Sequence, residues 1–82
     1  MDDAYGEFEE QQRNADIKAY ADEHNLDENI LKDFISEYEF SGLVSEAEVE
    51  KSLVAGLSFR ERRRMRKEIS AYIVENCNKY MS

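Results

Sequence analysis

Not one proline interrupts the 82 residues of this chain, and only three are glycine. Those two residue types break helices and shape tight turns, so a chain nearly free of them has few means of building a turn-rich β fold. The apolar residues agree, recurring at helical rather than strand spacing. The expectation is an all-α protein, a compact bundle of about four helices with short connections. A chain this short buries only about 60–65% of its unfolded surface, which allows one domain and one modest core.

The helices can be placed from their caps and stripes. Ile17, Tyr20, Ala21 and His24 share one face, predicting a first helix from about Asn14 to His24 with Asn25 as its stop. Asp27 can cap a second helix with its carboxylate, and Ile30, Leu31, Phe34, Ile35 and Tyr38 form the buried stripe of that helix. Gly42 is placed to end it in the left-handed conformation. Ser45 with Glu48 and Ser58 with Glu61 are capping boxes, in which the hydroxyl and the glutamate bond reciprocally to backbone amides. The first opens a short helix carrying Val49, Leu53 and Val54; the second, beyond Gly56, opens the longest helix, reaching about Tyr80. Residues 1–13 are acidic and glutamine-rich, with Tyr5 and Phe8 their large apolar residues. They are expected to be a disordered lead-in or part of the first helix, ahead of a helical domain over residues 14–82.

A single cysteine cannot form an internal disulfide, which suits a reducing compartment. The apolar runs are too short to span a bilayer, and the acidic N-terminus is unlike the basic start of a signal peptide. A cytoplasmic protein without membrane contact is expected.

Charge is segregated along the chain. Residues 1–50 hold sixteen acids and three bases, net −13, whereas residues 51–82 hold eight bases and three acids, net +5, together giving the overall −8. Six of the eleven bases fall in the eight positions from Arg60 to Lys67. In the last helix Met65, Ile69, Tyr72, Ile73, Cys77 and Tyr80 share a broad apolar sector that also contains Arg62 and Arg66. Those two arginines are expected to pack their stems inward and to reach acids on the first two helices. Arg60, Arg63, Arg64 and Lys67 lie on the other side, either as a solvated face or as an anion-binding patch for a protein partner or DNA. Cations near a helix N-terminus oppose the macrodipole, and Arg60/Arg64 and Arg63/Lys67 repel at i, i+4, so a counter-charge is called for.

No sequence element points to catalysis or to a cofactor. There is no Gly-rich phosphate loop, and one histidine with one cysteine cannot build a zinc site alone. The acidic clusters lack the alternating loop and central glycine of an EF-hand. Asp16-Ile17-Lys18 matches the end of a nuclease metal motif, but on a predicted helix rather than a strand. His24 reads as a helix-terminal residue at the C-terminal dipole and Cys77 as a small buried hydrophobe.

Three stretches carry a family resemblance: Tyr20-Ala21-Asp22-Glu23-His24-Asn25-Leu26, Ile35-Ser36-Glu37-Tyr38-Glu39-Phe40-Ser41-Gly42, and Leu57-Ser58-Phe59-Arg60-Glu61-Arg62. Together with Val49 and Leu53 they make the segment from Ile17 to about Tyr80 resemble the C-terminal domain of the R subunit of type I restriction-modification enzymes. In that family the nuclease and ATP-driven motor domains lie upstream, so the resemblance implies a segment of a longer subunit, with Met1 foreign to it. It further implies a helical domain that docks the motor subunit onto the methyltransferase and specificity subunits, with contact to duplex DNA secondary. No catalytic residue carries over. The competing expectation is a free-standing helical adaptor or small regulatory protein-binding module.

Overall fold

The computed structural model describes the backbone of residues 2–81 and the side chains of residues 11–80. Four helices follow one another: α1 (Asp2–His24), α2 (Glu28–Ser41), α3 (Glu46–Leu53) and α4 (Phe59–Met81), with no strand among the described residues. The backbone of α1 runs unbroken from Asp2, twelve residues ahead of Asn14. Tyr5 and Phe8, singled out in the acidic lead-in, have side chains outside the described residues.

Local chemistry explains where each helix stops and starts. Asn25 takes φ 55°, and the amides of Asn25 and Leu26 donate to the carbonyls of Asp22 and Ala21, the paired bonds of a Schellman ending. The Asp27 carboxylate then accepts from Asn29 N at 2.9 Å and Ile30 N at 3.2 Å, opening α2. Gly42 closes that helix at φ 72°, its amide donating to Tyr38 O at 2.7 Å. Ser45 and Ser58 accept from Glu48 N and Glu61 N at 3.3 and 3.4 Å. The return bonds expected from Glu48 and Glu61 do not form, so both boxes close from the hydroxyl side alone. Leu26 and Val44 stand just before their caps, five residues ahead of buried Leu31 and Val49, in the position of hydrophobic staples.

All three other helices pack on α4. Its first half lies against α3 and its second half against α1 and α2. The core between them is Ile17 and Ala21 from α1, Leu31 and Ile35 from α2, Val49 and Val54 around α3, and Met65, Ile69, Ile73 and Cys77 from α4. Every one of these core residues lies on a predicted stripe; of the other predicted stripe residues, Tyr20, Phe34, Tyr38, Leu53 and Tyr72 are half-buried against the core, and Ile30, His24 and Tyr80 are half-buried outside it. Polar side chains seal the far end. Tyr20 stacks on Tyr72 with ring centroids 3.8 Å apart and planes 6° from parallel. Arg13 donates to Asn76 Oδ1 at 3.1 Å and pairs with Glu39, tying α1 to both α4 and α2.

Candidate partner-binding surface

Helical phase divides the Arg60–Lys67 run in two. Arg62 and Arg66 turn inward, as expected, but their acids are on α3 and not on the first two helices. Arg66 Nη1 donates to Glu50 Oε2 at 3.0 Å; the looser approaches are Arg66 Nε to Glu46 Oε1 at 3.8 Å and Arg62 Nε to Glu50 Oε1 at 3.9 Å. The correction follows from packing: the first half of α4 faces α3, so only the acids of α3 are within reach.

Arg60, Arg63, Arg64 and Lys67 are exposed, and among the described residues none forms an ion pair. No described acid of the N-terminal half pairs with them. Two apolar residues missed as site residues share this end of α4. Phe59 is 61% exposed, with the Arg63 and Arg62 guanidinium groups 5.5 and 6.0 Å from its ring centroid. Leu57 is 40% exposed. A signal for it was present: four residues beyond the Ser58 cap, where a staple needs an apolar partner for Leu57, stands Arg62. The surface is therefore a cationic face edged by apolar area, with the positive end of the helix dipole beneath it.

Asp16, His24 and Cys77 are each absorbed by structure. Asp16 accepts from the Tyr80 hydroxyl at 3.2 Å and lies 3.6 Å from Lys79 Nζ, while Ile17 beside it is core. Its resemblance to a nuclease motif therefore has no geometric counterpart. His24 ends α1 and packs on the Tyr20 ring at 4.4 Å. Cys77 is buried, its thiol donating to Ile35 O at 3.6 Å, and burial pushes its pKa up against the opposing pull of Arg13. No group of His, Cys, Asp and Glu suited to a metal occurs among the described residues, and none of their helices is long and apolar enough to cross a membrane.

The geometry defines a small all-α domain built along one long helix with a cationic, apolar-edged end. The chain belongs to the C-terminal family of type I restriction enzyme R subunits: the family model described as "Type I restriction and modification enzyme - subunit R C terminal" matches residues 1–80. Among curated relatives it is 35% identical over 82 residues to the type I restriction enzyme SsaAORF53P endonuclease subunit of Staphylococcus saprophyticus. It is 32% identical over 80 residues to the SauCOLORF180P endonuclease subunit of Staphylococcus aureus strain COL. These alignments cover 100% and 98% of the chain but 9% and 8% of the relatives' own lengths. No solved structure matches.

Proposed function

We propose that this chain is a non-catalytic assembly domain, docking the R subunit of a type I restriction enzyme onto the methyltransferase and specificity subunits. The observation that carries the reading is the company kept by Arg60, Arg63, Arg64 and Lys67. They stand exposed beside Phe59 and Leu57, and arginine with aromatic and aliphatic area is the composition of a protein interface core. A surface serving only to neutralise phosphates has no use for the apolar edge. The family supports the same reading, its model being described as the C terminus of a type I restriction and modification enzyme R subunit.

Duplex DNA is the second reading, favoured by the four exposed cations and opposed at long range by the net charge of −8. Four phosphate contacts would give a log–log salt slope of roughly −3.6.

Size-exclusion with light scattering separates them. The 82-residue chain mixed with the cognate methyltransferase–specificity core is expected to co-elute without DNA, and to lose co-elution after Arg63→Glu with Lys67→Glu. Co-elution that requires duplex DNA would favour a composite site. In the full subunit, deletion of this segment should abolish complex formation and leave ATPase activity largely intact; normal assembly by the truncated subunit would refute docking.

A further inference from the structure

The corner between α2 and α3 holds the two most exposed large apolar residues of the described chain. Phe40 is 95% exposed and Leu43 is 76% exposed. Phe40 lies nine residues past buried Leu31, which at 100° per residue places it about 180° around α2 from the core stripe. No rotation of α2 could bury both. Beside them opens a cleft of about 300 Å³ lined by half-buried Phe34 and Val44, by Leu43, and by the acids Glu37 and Glu48. Both acids are exposed, and neither forms an ion pair among the described residues.

An apolar cleft with a protruding aromatic, rimmed by unpaired carboxylates, has the complement of a basic amphipathic helix. We infer that the Phe40–Leu43 corner docks a basic amphipathic segment of a protein partner. The segment presents a large apolar side chain to Phe34, Leu43 and Val44, with lysine or arginine reaching Glu37 and Glu48. The charge excludes a phosphate backbone as occupant. A second copy is disfavoured because each chain carries net −8. The inference goes beyond docking through Arg60, Arg63, Arg64 and Lys67, since it concerns a surface of opposite charge. Charge reversal of Arg63 and Lys67 leaves it intact.

The test is amide-resonance mapping of the isotope-labelled chain titrated with a synthetic amphipathic Lys/Leu helical peptide, against a scrambled peptide of equal composition. Shifts confined to Phe34, Glu37, Phe40 to Ser45 and Glu48, with the scrambled peptide at least tenfold weaker, are expected. Phe40→Ala with Leu43→Ala should weaken binding at least tenfold without moving the thermal melting curve, as both side chains are exposed. Glu37→Gln with Glu48→Gln should weaken it and flatten its salt dependence. Equal binding of both peptides, or shifts spread over the acids of α1, would reduce the corner to bulk charge and overturn the inference. So would dimerisation of the chain abolished by the Phe40 and Leu43 substitutions, or duplex DNA shifting the same resonances.

Discussion

Arg66 donates to Glu50 at 3.0 Å, and Arg62 leans on the same carboxylate from 3.9 Å, so one α3 acid serves two α4 cations. The arrangement concentrates the α3–α4 tie on Glu50, with Glu46 an exposed auxiliary. Glu50→Ala should therefore cost more than Glu46→Ala: about 1 kcal/mol against a few tenths, because the pairs are only part-buried and solvent screens them. Urea denaturation of the two variants checks the order.

Ile69 and Ile73 are fully buried where α4 meets the other helices. Truncation to alanine removes transfer free energy and leaves a cavity, so each variant should lose about 2–5 kcal/mol. In a domain this small that is a large share of total stability, and Ile73→Ala is expected to be partly unfolded at ambient temperature by circular dichroism.

The basic face separates binding from stability. Arg60 stands two residues beyond the Ser58 cap, against the positive end of the α4 dipole, and is exposed. Arg60→Glu removes that conflict and the i, i+4 repulsion with Arg64, so it should stabilise the fold by about 0.3–1 kcal/mol while weakening partner association. Denaturation and co-elution measured on the same preparation check both signs.

Tyr20 and Tyr72 have pKa values pushed up to about 12, chiefly by burial, with Glu68 adding to Tyr20 and Asp16 to Tyr72. Both phenols hold their protons more tightly folded than unfolded. Their contribution to stability is thus complete below about pH 10, the unfolded value, and is lost as pH rises toward 12. Tyrosinate absorbance should show two late-titrating phenols, and Tyr72→Phe should leave one fewer.

Cys77 should react with a thiol-specific reagent only as fast as the domain opens, because its sulfur is buried and its pKa is raised. Ile73→Ala is expected to accelerate that reaction in proportion to its lost stability; a native-state rate equal to that of a free thiol would contradict the packing of α4 on α2.

Apart from the start of α1, which lies twelve residues ahead of Asn14, the helices and their ends were legible because caps are local chemistry. Asn25, Asp27, Gly42, Ser45 and Ser58 each act within five residues of themselves. The core stripe was legible for the same reason, periodicity being a property of one helix at a time. The inward turn of Arg62 and Arg66 followed from phase, but their partners did not, since which helix faces α4 there is decided by tertiary packing. Leu57 and Phe59 were overlooked because apolar residues beside a cap ordinarily fold onto their own helix. Phe40 was readable by angle alone, lying opposite Leu31.

Ser41 bonds to both sides of the bend that follows it, donating to Glu37 O at 2.8 Å and accepting from Leu43 N at 3.3 Å. Gly42 supplies the left-handed turn between them, and although nothing lies within 4 Å of where a Cβ would be, its φ of 72° would strain an alanine there. The backbone bearing Phe40 and Leu43 is thus set before any encounter, and a ligand meeting this corner has little chain disorder left to suppress. Loosening it with Gly42→Ala would register as faster dissociation from an otherwise unchanged surface, a kinetic trace of a residue with no side chain to offer.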